Sequence, residues 1–231
     1  MTKGIDYFGY SNPLLKLRTR FAIKARKKIF DIFMDLYRPG KDDSIIDVGA
    51  TPDNSLPYSN LFEKYYPYKE NFTVSSIEDC SGFVKDLGLK KFVKTEPHGR
   101  FPFADREFKY LFSNAVIEHV GTREQQKQFL RECLRVSENV FLTTPNRYFP
   151  VEMHTILPFV HWLPIRYFQW IIRNFWWGGE FWSKTENLNL LWESEILRML
   201  DEIDPEHRTA VMSIRTLGFK SNLIIYTKPG S

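Results

Sequence analysis

The 231 residues are 43% hydrophobic and 26% charged, which suits one packed globular domain, 1–231, and argues against a disordered or fibrous chain. The net charge of +4 is modest and comes with no recognisable binding motif, so no nucleic-acid partner is expected. Two cysteines, Cys80 and Cys133, have no paired spacing, which excludes a disulfide framework and a CxxC centre and points to a reducing compartment.

Residues 14–37 have the periodicity of a helix. Leu14, Leu17, Phe21, Ala25, Ile29, Ile32 and Leu36 recur at three- and four-residue steps and make one apolar stripe. Lys16, Arg20 and Lys27 fall opposite, with Lys24 and Arg26 on the flanks; Arg38-Pro39-Gly40 ends the helix. Residues 1–40 therefore read as a basic amphipathic helical cap, suited to anionic lipid or a phosphate-bearing substrate if the basic face is not merely solvated. No secretory h-region and no apolar stretch of ~18 residues is seen, so the expected location is cytoplasmic, with peripheral contact at the inner face of a membrane as an extension.

Ser44–Gly49 is a short apolar run that stops at glycine, a buried strand. A helix is expected around Tyr58–Tyr66, a strand over Phe72–Ile77, a short helix over Phe83–Leu87, a weak strand over Lys91–Lys94 and a fourth over Tyr110–Ser113. Thr122-Arg123-Glu124-Gln125 is a capping-box pattern opening a helix to about Val136. Asn139–Thr143 is a fifth strand, 192–203 a helix, and Ala210–Thr216 with Ser221–Thr227 a hairpin joined through Leu217–Lys220. Alternation of this kind predicts an α/β fold: a doubly wound, Rossmann-like, mostly parallel sheet with a terminal antiparallel hairpin. Ligands of such sheets bind beyond the carboxyl ends of the strands. Asp47 and Gly49 end the first strand, the glycine permitting close backbone approach. Glu78 ends the second, where a carboxylate can accept both hydrogens of a ribose diol, and Glu96 follows the third, where it can accept from an adenine amino group.

The run Phe101-Pro102-Phe103-Ala104-Asp105-Arg106-Glu107-Phe108, a strand, and then Val116-Ile117-Glu118-His119-Val120 resembles the small-molecule branch of class I S-adenosylmethionine-dependent methyltransferases. Leu134-Arg135-Val136 and Phe141–Asn146 add to the likeness, which covers roughly residues 42–147. The resemblance implies a seven-stranded sheet with its last strand antiparallel, and S-adenosylmethionine as cofactor. It puts Asp47 and Gly49 at the methionine end, Glu78 on the ribose, Glu96 on the adenine side, and Ser113, Asn114 and Ala115 near the sulfonium. Two departures stand out. Gly49-Ala50-Thr51-Pro52-Asp53 keeps one glycine where that family carries Gly-x-Gly, and Lys109 replaces the aspartate of its "F-D" pair.

Methyl transfer to a hydroxyl calls for a base, and His119, His154 and His161 are the candidates, His119 and His154 foremost; each also fits a packing or capping role. No HxxE, HxH or DxD spacing suggests a metal site. Residues 148–190 form an aromatic-rich insertion or lid, and all six tryptophans lie between Trp162 and Trp192. Such a segment can cover a lipophilic or saccharide acceptor, lie in a membrane interface, or pack on the sheet or on a second subunit of a homodimer. The expected activity is methyl transfer to an oxygen of a small-molecule, saccharide or lipid-linked acceptor; the rival reading is a non-catalytic methyltransferase-like binding protein or membrane-peripheral scaffold.

Overall fold

The computed structural model describes residues 13–53, 57–176 and 178–230, with the side chains of the first helix described from residue 19 onward. The side chains of Leu14, Lys16 and Leu17, and Trp177 entirely, lie outside the described residues. The first helix, α1, spans Pro13–Tyr37. The strands are β1 (Ile45–Val48), β2 (Phe72–Ser76), β3 (Lys91–Lys94), β4 (Phe108–Asn114), β5 (Ser137–Pro145), β6 (Thr209–Thr216) and β7 (Phe219–Thr227). Between them lie the helices α2 (Leu61–Tyr65), α3 (Ser81–Leu87), α4 (Arg123–Val136), α5 (Ile165–Phe175), α6 (Gly179–Trp182) and α7 (Glu193–Ile203).

The sheet has seven strands in the order β3-β2-β1-β4-β5-β7-β6. The β1, β2, β3, β4 and β5 pairings are parallel, and β7 runs antiparallel to both β5 and β6. The strand order switches from one side of β1 to the other at the parallel β1–β4 pair, so a crevice opens at the carboxyl ends of these two central strands. The last hairpin is tighter than its sequence suggests. Only Leu217 and Gly218 connect the strands, both at positive φ (51° and 85°), the twist-matched two-residue turn.

Two cores sandwich the sheet. On one side Ile46, Val48 and Leu111 pack with Leu130, Cys133 and Leu200 of α4 and α7. On the other, Ile45, Phe72, Phe112 and Phe141 pack with Ile29 and Phe33 of α1 and with Phe62 of α2. Strand alternation puts Asp47 on the same side as Ile45, facing α1 and α2. This fixes the polar chemistry of the site.

The helix α1 is fully buried at Ile29, a member of the predicted stripe, and at Phe33, which the stripe omits; Ile32, Leu36 and Tyr37 are half-buried. The Tyr37 hydroxyl donates at its end to carbonyls of Val140 and Thr227 and accepts from the Thr227 amide, which moors the helix to β5 and β7. Arg26 extends the buried row by one turn (26, 29, 33) and points inward, not along the flank. Lys24, Lys27 and Lys28 remain exposed. Cys80 immediately precedes α3; like Cys133 it is a buried free thiol.

Candidate active site

The turn after β1 begins at Gly49, whose φ is +97°. A Cβ there would drive into both methyls of Val116, so glycine is required by backbone and by space. The lost second glycine is offset by Asn60, itself at positive φ, whose amide donates to the Thr51 carbonyl at 2.7 Å and accepts from the Thr51 N–H at 3.4 Å. A polar clamp thus does the shaping that a flexible residue does elsewhere. Lys109 sits near the amino-terminal end of β4, remote from the crevice, and pairs with Asp43 at 2.7 Å. The second sequence departure therefore lies at the opposite end of the strands from the crevice.

Two adjoining cavities occupy the crevice. The smaller, about 260 Å³, is lined by Arg26, Asp47, Asn60, Glu63 and Asn114 among others. The larger, about 710 Å³, falls within the usual range of ligand pockets and includes Glu78, Glu96, Phe181 and Trp182 in its wall. Gly49, Ala50, Thr51, Ala115 and His119 belong to both, so the two form one continuous cleft.

The floor of the smaller cavity carries a buried charge cluster. Burial, the Glu63 charge and a hydrogen bond to Glu63 push the Asp47 carboxyl well above the usual carboxylate range, against the opposing pull of Arg26. Asp47 is thus the more readily protonated of the two acids. Burial also raises Glu63 above the usual carboxylate range, and its bond with Asp47 and the nearby Arg26 offset this only in part. Burial lowers the Arg26 guanidinium, opposed first by Glu63, and the guanidinium donates to the Tyr58 carbonyl at 2.8 Å. Arg26 and Glu63 were not legible as site residues.

Of the sequence-predicted residues, Asp47, Gly49 and Asn114 line the smaller cavity, and Gly49, Glu78 and Glu96 the larger. Glu78 and Glu96 are exposed at the strand ends. Ser113 lies outside the cleft: it is 2% exposed and its hydroxyl donates to the Val48 carbonyl, stitching β4 to β1. Asn114 accepts from the Thr143 hydroxyl.

Beyond β4, Ala115 at φ 58° turns the chain into a short 3-10 turn over Ile117–His119. Thr122 and Gln125 close the predicted capping box of α4. Gln126 donates to carbonyls of Ile117 and Asn189, and Arg123 to those of Asn189 and Leu190 and to Glu195, so the 187–191 strip is tied to this turn. His119 Nδ1 donates to the Asn187 carbonyl at 2.6 Å. An acceptor-only partner fixes the tautomer and leaves the lone pair on Nε2. His154 is reached from the other side. Its ring stands perpendicular to that of His119 with centroids 5.0 Å apart, and Trp182 packs 4.9 Å from it. Its Nδ1 lies 2.6 Å from Glu152, which also accepts from the backbone amides of His154 and Thr155 and from the Thr155 hydroxyl. Burial pushes Glu152 up, but His154 and Thr155 outweigh it and set the carboxyl at about 2.

Residues 148–190 carry a small core of their own, Phe168, Ile172, Leu188 and Leu190, on which Trp182 and Val160 rest. Their opposite side exposes Trp170 and Phe175, at 58% and 72%, beside Arg166 and Arg173. Among the described residues no helix is long and apolar enough to cross a membrane.

No protein-family model matches the sequence, and no curated protein is similar to it. Solved structures do match. A magnesium protoporphyrin IX methyltransferase from Synechocystis, with bound S-adenosylhomocysteine, aligns with TM-score 0.57 at 12% identity, over 95% of this chain and 89% of that one. A possible histamine N-methyltransferase from Thermotoga maritima aligns with TM-score 0.56 at 13% identity, over 96% and 97%. An S-adenosylmethionine-dependent methyltransferase from Aquifex aeolicus aligns with TM-score 0.52 at 16% identity, over 92% and 96%. The fold is that of the S-adenosylmethionine-dependent methyltransferases: a Rossmann-like α/β sheet of seven strands closed by an antiparallel hairpin.

Proposed function

We propose that this chain binds S-adenosylmethionine and transfers its methyl group to an oxygen of a small-molecule, saccharide or lipid-linked acceptor. The observation that carries the reading is the continuous cleft, with a buried cation–carboxylate cluster at one end, exposed carboxylates at the other and His119 at the junction. The ligand's chemistry fits these ends. An amino acid moiety bears a carboxylate for Arg26 and an ammonium for the Asp47–Glu63 pair, and ribose hydroxyls can donate to Glu78. Gly49 lets the backbone approach closely between them.

When bound, the cofactor would supply an activated methyl group on a positively charged sulfur, and an acceptor hydroxyl that took it would have to give up its proton. The chain's part is to position the acceptor and receive that proton. His119 and His154 face each other beside the junction, and with Nδ1 of each set against an acceptor, Nε2 is where a ring would receive the proton. Trp182 and Phe181 line the larger cavity beside His119. The exposed aromatic and arginine face of α5 suits a membrane interface, which favours a lipid-linked acceptor.

The test is transfer of isotopically labelled methyl to a panel of phenols, saccharides and polyprenyl-linked saccharides, with products read by mass spectrometry. O-methylated product that disappears with His119→Ala supports the proposal. Cofactor binding without transfer to any member would favour the non-catalytic binding module.

A further inference from the structure

We infer that Glu118, His119 and His154 form a binding site for one divalent first-row transition-metal ion. One donor atom from each of the three side chains lies within 4.8 Å of the others. Around a bound ion such donors stand roughly 3.3 Å apart in a tetrahedron, so small side-chain rotations complete the site. Glu118 is fully buried, and its Oε2 accepts from the Thr144 hydroxyl at 3.0 Å. Its Oε1 is buried without a hydrogen-bond partner among the described residues. A carboxylate oxygen left so is costly unless a cation or donor meets it.

The histidines are held as metal ligands are held. His119 Nδ1 donates to a backbone carbonyl and His154 Nδ1 to the buried Glu152 carboxylate, each at 2.6 Å. These are the outer contacts that orient ligating imidazoles and raise the basicity of the other nitrogen. Imidazole with one carboxylate suits zinc, iron, cobalt or nickel better than magnesium or calcium. Three protein ligands leave a coordination position open, as in catalytic rather than structural sites. His119 lines the cleft, so the open position belongs to the acceptor side. Its role there rests on the methyl-transfer reading: with the ion bound, an acceptor hydroxyl on it would release its proton to solvent more readily and the imidazoles would act as ligands, whereas in the metal-free protein they are the bases of that reading.

The probe is Co2+ added to chelator-treated full-length protein, followed by its visible absorption, with Zn2+ as competitor. One equivalent is expected to bind with a tetrahedral or five-coordinate spectrum that Zn2+ abolishes. Glu118→Gln, His119→Ala and His154→Ala should remove it. Glu152→Gln should weaken it by roughly 10- to 100-fold, and His207→Ala, an exposed histidine elsewhere, should leave it unchanged. Circular dichroism checks folding of each variant; the wild-type titration and the isosteric Glu118→Gln decide the matter if a histidine variant misfolds. Absence of stoichiometric uptake by folded wild-type protein, or uptake that survives Glu118→Gln and both histidine variants, overturns the inference. S-adenosylmethionine binding is measured on the same samples. Metal uptake without cofactor binding would sink the methyltransferase reading and leave the metal site standing; the reverse would do the opposite.

Discussion

Replacing Gly49 by alanine tests the geometry of the cofactor turn more sharply than removing any charge. Gly49 holds a φ of +97°, and an added Cβ would overlap both Val116 methyls. The backbone conformation costs an L-residue ~1–2 kcal/mol. Forcing a methyl into filled space costs ~1–3 kcal/mol more. Gly49→Ala should therefore destabilise the protein by about 2–5 kcal/mol, lowering Tm by on the order of 10 °C for a chain of this size. The two parts can be separated. Val116→Ala removes the obstructing methyls, so in the double variant only the backbone cost should remain, and a double-mutant cycle should return a coupling of about 1–3 kcal/mol. Urea unfolding of the four proteins supplies the numbers. Additive effects, with no rescue by Val116→Ala, would refute the packing argument. A Gly49→Ala cost below ~1 kcal/mol would refute the backbone argument as well.

The buried acid pair predicts an opposite trade. The folded protein holds a proton on Asp47 that the unfolded chain, with its ordinary value of 3.8, releases; this contribution to stability is complete below that value and is lost as pH rises through the raised folded one. Asp47→Asn should raise Tm more at pH 8 than at pH 5 while weakening S-adenosylmethionine binding; equal shifts at both pH values would remove the protonated-pair assignment. Arg26→Met should weaken S-adenosylmethionine binding by at least roughly 10-fold, since a charged hydrogen bond contributes ~1.5–3 kcal/mol, and unchanged affinity by calorimetry would take Arg26 out of the site. Lys109→Asp should leave cofactor affinity unaltered, because the residue lies at the far end of β4; a change in the binding isotherm would contradict that placement. Trp170→Ala with Phe175→Ala should reduce co-sedimentation with anionic vesicles without altering Tm, and undiminished sedimentation would turn attention from α5 to the exposed lysines of α1.

Much of the fold was legible in the sequence because its strands are apolar runs ending at turn residues. Ser44–Gly49 and Asn139–Thr143 could hardly be anything but buried strands, and the Thr122–Gln125 capping box forms as its residue types demand. What periodicity could not reveal is which long polar side chain turns inward. Arg26 stands in one row with Ile29 and Phe33, yet a basic run hides it, and its reason for burial is a carboxylate pair on two other elements. Glu63 lies in a helix of five residues, too short to display a face. The Glu118–His119–His154 group escaped spacing rules because the fold, not the local chain, brings it together. Ser113 shows the converse: a residue in a pocket-like sequence context whose hydroxyl is used within the sheet.

Calorimetric titration of S-adenosylmethionine and S-adenosylhomocysteine into the purified protein tests the central claim most directly. The account predicts one site of micromolar affinity, weakened roughly 10- to 100-fold by Glu78→Ala through loss of hydrogen bonds to a charged acceptor. A well-folded protein that takes up neither ligand at millimolar concentration would contradict it, and would leave a methyltransferase fold put to another use.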